Sequence, residues 1–228
     1  NNLTTLKNLA TILKNFAANV DALTATFDTP AATLDALAAT LDALAATLDA
    51  LAATLDASVQ DRLNQTGVLF DLDEAIDLYR AALAVCPPGH SYRSQCLNNL
   101  AVILHDRFEQ RGLLSNLEEA IDHHRTALAL RPPGHAGRAS SLSNLALALQ
   151  ARFKQRGVLC DLDEAIDLHH AALALCPPDH SDQSSALNNL ANSLQDRFNQ
   201  RGVLSDLDDA IDLHRAALTL CPPERCPV

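Results

Sequence analysis

Tryptophan and methionine are missing from this 228-residue chain, and it holds only two tyrosines and six phenylalanines. A core without large rings must be built from Leu and Ala, which are helix formers. Glycine is scarce, at seven residues, and no phosphate-cradling glycine loop or strained nucleophile turn can be found among them. Lysine occurs only at Lys7, Lys14 and Lys154, and the formal net charge is −11. That balance argues against nucleic acid, whose binding needs cations to neutralise phosphates. A neutral or basic partner is easier to accommodate. No uninterrupted apolar run is long enough to span a bilayer, so no membrane partner is expected. No basic-then-apolar leader opens the chain. Six cysteines do not make a disulfide-dense scaffold, and we read them as reduced thiols of a cytoplasmic protein. The chain begins Asn1-Asn2 without methionine, which we read as a fragment or a processed product.

What is present is a repeat. Hydrophobic content of 48% with 20% charged residues marks a folded chain. Gly67, Gly112, Gly157 and Gly202 are 45 residues apart each time. Pro87-Pro88, Pro132-Pro133, Pro177-Pro178 and Pro222-Pro223 keep the same spacing, as do the EAID or DAID segments beginning at 74, 119, 164 and 209. A fixed period in this range means stacked supersecondary units.

Each unit reads as two helices. Leu187, Leu190, Ala191, Leu194 and Phe198 fall on one helical stripe. Gly202 can adopt the left-handed conformation that ends that helix, and Arg197 and Arg201 suit its last turn. Asp206 with Asp209 then resembles a capping box for the second helix. Asp71 with Glu74, Asn116 with Glu119 and Asp161 with Glu164 repeat the arrangement. The second helix is expected to bury Leu207, Ala210, Ile211, Leu213, Ala217 and Leu218, and Pro222-Pro223 to stop it.

The second helix carries Ala210, His214, Ala217 and Pro222 at the small–aromatic–small–proline spacing of the tetratricopeptide repeat. Ala75, Tyr79, Ala82 and Pro87 repeat it, as do the sets from Ala120 to Pro132 and from Ala165 to Pro177. Leu187, Leu190, Ala191 and Leu194 match the large–large–small–large positions of the first helix. The chain thus resembles the tetratricopeptide family over residues 52–228, in a long-loop form similar to kinesin light chains and to fungal tetratricopeptide proteins that carry a caspase-like protease domain. It departs from that family in its period of 45, against the usual 34, and in placing His at the aromatic position in three copies. The fold class this implies is all-α, an α-α superhelix or tetratricopeptide-like solenoid of about four helix pairs.

Residues 1–51 differ. Leu6, Leu9, Leu13, Phe16, Val20, Leu23 and Phe27 keep a heptad stripe, Asp28-Thr29-Pro30 breaks it, and LDALAAT follows three times from Leu34. TLKNLATIL at 5–13 resembles ALNNLANSL at 186–194, so the region reads as a degenerate repeat with an expanded heptad. Its flanking Ala and Thr offer no charge pairing to set a partner. We therefore favour a helical hairpin capping its own array, and a monomer, over dimerisation through a coiled coil. The array ends on a second helix at PPERCPV. Repeat arrays are closed by polar caps, so we expect sequence beyond Val228.

Chemistry has few footholds. Cys86, Cys176 and Cys221 share one repeat position, and His90 and His180 follow two of them. Arg131 fills that position in another copy, and zinc needs four converging ligands, so we expect no metal and no cofactor. His123-His124 and His169-His170 lack metalloprotease spacing, and packing accounts for His124, His169 and His214 at the aromatic position. No catalytic activity is expected. Arg62, Arg107, Arg152 and Arg197, and Asp77, Asp122, Asp167 and Asp212, recur in every copy and read as structural ion pairs or caps.

Asparagine is a poor helix former, yet LNNLA at 97–101 returns as LSNLA at 142–146 and LNNLA at 187–191. Asn99, Asn144 and Asn189 lie beside the apolar stripe. Repeated up the first helices, their amides can hold the backbone of an extended peptide, and the resemblance places this asparagine in the peptide groove. Alternatively each bonds to the adjacent repeat and orders the stack. Asn98, Asn188, Asn192, His105, Gln150, Gln195, Asp106 and Asp196 complete the candidate groove. Few are basic, so a partner's terminal carboxylate is not the expected ligand. The function this composes is a non-catalytic protein–protein interaction scaffold that binds an extended neutral or basic peptide or partner surface. The alternatives are an oligomerising helical segment, or the regulatory repeats of a larger protein with a caspase-like domain elsewhere.

Overall fold

The computed structural model describes residues 72–85, 92–177 and 181–220. Among the described residues there are seven helices and no strand. They are α1 (Leu72–Val85), α2 (Arg93–Arg111), α3 (Leu114–Ala129), α4 (Arg138–Arg156), α5 (Leu159–Leu175), α6 (Ser181–Arg201) and α7 (Leu204–Thr219). The heptad segment 1–51, Arg62, Gly67, Asp71, the cysteines Cys86 and Cys221, and His90 and His180 lie outside the described residues. No described helix is long and apolar enough to cross a membrane.

The chain divides into two compact units, residues 1–100 and 101–228, with the division inside α2. In the first, α1 buries Leu72, Ala75, Ile76, Tyr79 and Ala82. The start of α2 buries Cys96, Leu97 and Leu100, and Arg93 Nη1 donates to the Leu83 carbonyl at 3.1 Å.

The second unit is a run of helical hairpins. α4 packs on α5 and α6 on α7, while α3 meets α4, α5 meets α6, and α4 also touches α6 directly. One core joins Leu117 and Ile121 of α3 to Leu145, Ala146 and Leu149 of α4. The next joins Leu162 and Ile166 of α5 to Leu190, Ala191 and Leu194 of α6. The large–large–small–large stripe of each first helix is thus the surface that seals the preceding second helix.

Three helix ends are superposable in kind. The N–H groups of Gly112, Gly157 and Gly202 each donate at 2.7 Å to the Phe108, Phe153 and Phe198 carbonyls. Their φ angles are +69°, +69° and +68°, a left-handed conformation open to glycine without strain. One extended residue follows, Leu113, Val158 or Val203, and the second helix begins.

The capping box is not formed. Leu113, Val158 and Val203 stand at the cap positions and no side chain caps these helices. Asn116, Asp161 and Asp206 lie within the first turn, buried. Each turns back to an arginine nine residues earlier, which offers a charge-assisted bond stronger than a backbone N–H alone.

The second helix of the last copy also buries less than its stripe predicts. Ala210 and Ala217 are buried and Leu207 and Leu213 half-buried, but Ile211 is 40% exposed and Leu218 67%. The equivalents Ile121 and Ile166 are 1% and 2% exposed. α4 and α6 cover those two, and no helix among the described residues follows α7.

Candidate functional site

The candidate residues lie on the first helices, α2, α4 and α6, and the structure divides them into those already engaged and those open to solvent. In the first unit Asn98 is buried and Asn99 half-buried. Gln95 Nε2 donates to Asn99 Oδ1 at 3.0 Å, and Asn98 Nδ2 approaches the same oxygen at 3.4 Å. Asn99 Nδ2 in turn donates to the Tyr79 hydroxyl at 3.4 Å. The amide of α2 therefore reaches the aromatic position of α1, a contact between successive repeats.

In the second unit His105 and Asp106 are half-buried on α2. His105 stacks on Phe108 with ring centroids 6.3 Å apart. Burial lowers the His105 pKa, although Glu109 and Asp106 pull it the other way. Burial likewise raises the Asp106 carboxyl pKa, with His105 opposing. Asn144 and Asn189 are half-buried, and the Asn189 carbonyl accepts a bond from Ser193 Oγ at 3.1 Å. Gln150 is buried and donates through Nε2 to Asp196 Oδ2 at 2.6 Å, from α4 to α6. Lys154 Nζ lies 3.3 Å from the same oxygen. Gln150 and Asp196 are thus brought together as a clasp between consecutive first helices.

On α6 the picture is different. Asn188, Asn192 and Gln195 are all exposed. Their spacing of i, i+4 and i+7 puts them on one helical face. The row carries no formal charge and offers both donors and acceptors. Its first member is oriented by the paired helix: His214 Nδ1 lies 2.9 Å from Asn188 Oδ1.

The recurrent arginines and acids tie neighbouring helices together. Arg107 Nη2 donates to Asn116 Oδ1 at 2.8 Å. Arg197 grips Asp206 through Nε and Nη2 at 2.7 and 2.9 Å, and those bonds hold the Asp206 carboxyl below its ordinary pKa. Glu118 takes Arg152 at 2.8 Å and Arg156 at 2.7 Å, joining α3 to α4. Asp163 repeats this from α5 to α6, with Arg201 at 2.8 Å and Arg197 at 3.8 Å. Sequence reading missed Glu118 and Asp163, although their separation of 45 was a usable signal. Asp77, Asp122, Asp167 and Asp212, read as ion pairs or caps between neighbouring repeats, are exposed, and Asp212 pairs with Arg215 of its own helix at 3.3 Å.

Among the described residues no group of three or more His, Cys, Asp or Glu is placed to hold a metal ion. His124 and His169 pack in the core of α3 and α5, each 1% exposed.

Residues 184–218, the α6–α7 hairpin, match the family described as Tetratricopeptide repeat. This hairpin is similar to a tetratricopeptide repeat. The α4–α5 hairpin repeats it 45 residues earlier in sequence and in its glycine turn, arginine clamp and buried stripe. A solved variant of a kinesin light chain-type protein of nearly identical TPR-like repeats from Podosopora anserina is 17% identical. That likeness covers 92% of this chain and 86% of that one at a TM-score of 0.50, and it concerns the fold alone. BtubC (BKLC) from P. vanneervenii is 18% identical over 95% and 96% of the two chains, at a TM-score of 0.48. YrrB, a TPR protein with an unusual peptide-binding site, is 18% identical over 93% and 88%, at 0.47. No curated protein sequence matches the chain.

Proposed function

We propose that this tetratricopeptide-type array is a non-catalytic protein–protein interaction scaffold whose first-helix face takes an extended peptide. The exposed amide row Asn188, Asn192 and Gln195 carries the reading. Amides spaced along a helix face can pair with both N–H and C=O groups of an extended backbone, and so bind without demanding one sequence. The net charge of −11 favours a neutral or basic partner segment. Asn99 contributes to repeat stacking through Tyr79, while Asn144 and Asn189, half-buried, border the open row.

The test is selection of displayed random dodecapeptides on the full chain. A variant carrying Asn188→Ala, Asn192→Ala and Gln195→Ala, matched in helicity and melting, serves as the control. Enriched neutral or Lys/Arg-bearing peptides that bind the variant at least about tenfold more weakly support the reading. Peptides that bind both chains equally, or no enrichment, overturn it.

A further inference from the structure

One acid on each second helix is built to receive arginines. Glu118 of α3 takes Arg152 and Arg156 of α4 at 2.8 and 2.7 Å. Asp163 of α5 takes Arg197 and Arg201 of α6 at 3.8 and 2.8 Å. Asp208 stands at the same repeat position on α7. It is exposed, and among the described residues no arginine or lysine pairs with it.

An apolar stripe runs beside each of these acids. Ile121 and Leu128 pack with Leu145, Ala146 and Leu149 of α4. Ile166 and Leu173 pack with Leu190, Ala191 and Leu194 of α6. Ile211 and Leu218 are their counterparts on α7, and both are exposed, as is Leu204. Leu204, Ile211 and Leu218 recur every seven residues and share one helix face. Asp208 lies four residues after Leu204 and three before Ile211, so it flanks that face.

The two sealed counterparts show what chemistry fits such a surface. In both, the covering helix reads Leu-x-x-Leu-Ala-x-x-Leu, with arginines three and seven residues beyond the last leucine. Charge selects the occupant further. Asp208, Asp209 and Asp212 are all exposed on α7, and Arg215 pairs with Asp212. An acidic helix would be repelled there, and an uncharged one would leave Asp208 without a partner. We propose that the Leu204, Ile211 and Leu218 stripe, with Asp208, is a docking site for a basic amphipathic helix of a partner protein. The partner's leucines cover the stripe, and its two arginines, one helical turn apart, share the Asp208 carboxylate. The ligand is helical and lies on α7, which separates this site from the extended peptide assigned to the α6 amide row.

The probe is a fluorescently labelled synthetic peptide with the sequence of Arg138–Arg156, the helix that closes the α3 stripe. Ala151 stands in it where α6 has Asp196. It therefore cannot reproduce the glutamine clasp of Gln150 with Asp196, and it reads α7 apart from the amide row. Fluorescence anisotropy with the full chain is expected to show saturable binding. The peptide carrying Arg152→Glu and Arg156→Glu should bind at least about tenfold more weakly. Asp208→Arg in the chain should reverse that preference, and Ile211→Asp should weaken both peptides at least about tenfold. If circular dichroism shows Ile211→Asp misfolded, Leu218→Asp replaces it. The chain carrying Asn188→Ala, Asn192→Ala and Gln195→Ala should bind the helical peptide as the parent does, so the two proposals fail independently. Absence of saturable binding overturns the docking site, as does binding indifferent to Asp208→Arg and Ile211→Asp. A parent chain that self-associates in sedimentation equilibrium, and loses this with Ile211→Asp, makes the occupant a second copy and overturns the assignment to a basic partner helix.

Discussion

Arg152, just before the last turn of α4, donates through Nε and Nη2 to both carboxylate oxygens of Asp161, in the first turn of α5, at 2.7 and 2.8 Å. The fork geometry fixes the angle at which the two helices meet across Gly157-Val158. Asp161 is buried, so its oxygens rely on this partner for hydrogen bonds that water would otherwise supply. Burial alone would lower the Arg152 pKa, but the bonds to Asp161 and Glu118 raise it.

Arg152→Met is therefore expected to cost about 3 kcal/mol, because it strands a buried carboxylate. Adding Asp161→Leu should recover most of that loss, since an apolar pair replaces a buried ion pair at little net cost. Urea unfolding of the two variants beside the parent chain checks both signs.

Acid should destabilise the array before its carboxylates titrate. Burial lowers the His124 pKa to about 3, with His105, His123 and Arg131 adding to the effect. His169 is lowered to about 4 by burial, with His170 beside it. Both ring nitrogens of His169, and Nδ1 of His124, are buried without a hydrogen-bond partner. The unfolded chain, with histidines near pKa 6.5, then binds more protons than the folded one at lower pH. Stability is complete above about pH 6.5 and falls as pH drops through the window down to the folded values, by about 1–2 kcal/mol per histidine at pH 5. The His124→Phe, His169→Phe variant should flatten that slope in thermal melts between pH 7 and pH 5. An unchanged slope would place the acid sensitivity elsewhere.

Two amide positions one repeat apart should part company. Gln150 is buried and bonded to Asp196, so Gln150→Ala is expected to cost about 1–2 kcal/mol in denaturant unfolding. Gln195 is the same position in the next copy and is exposed, so Gln195→Ala should change stability by less than about 0.5 kcal/mol. Any peptide affinity lost in the second variant then reports binding and not folding.

Isoleucine truncation should map how each second helix is covered. Ile166→Ala removes a side chain sealed by α6 and is expected to cost about 3 kcal/mol. Ile211→Ala, at an exposed position, should cost less than about 1 kcal/mol in dilute monomer. Equal losses would mean that α7 is covered after all.

At the turns, a Cβ built on Gly157 meets no atom within 4 Å, so space is no obstacle there. Gly157→Ala should still cost about 1–2 kcal/mol, the strain of a left-handed backbone for an L residue. At Gly137, by contrast, an added Cβ would stand 2.9 Å from Nη1 of the buried Arg131. That nitrogen donates to the Gly137 carbonyl and to Ser141 Oγ, each at 2.8 Å. Gly137→Ala should therefore act by displacing Arg131 and loosen the start of α4. Thermal melts of the two variants, with amide exchange at Ser141, separate strain from displacement.

The sequence by itself determined the repeat, its helix pairs, the glycine turns and the stripe that seals each hairpin. These are local properties. Residues three and four apart share a helix face, and only glycine takes the turn conformation freely, so spacing and residue type suffice to read them. The tertiary structure decided what meets what. Asp161 and Asp206 have the composition of caps, but the arginine of the preceding helix lies within reach and wins their carboxylates. Gln150 and Gln195 are the same residue at the same position, yet one is clasped by Asp196 of the following helix and the other faces solvent. Ile166 is sealed by α6, whereas no helix among the described residues follows α7 to seal Ile211. Partners of this kind stand tens of residues away in the chain, and a side chain's burial is set by the surface brought against it, which no local pattern encodes.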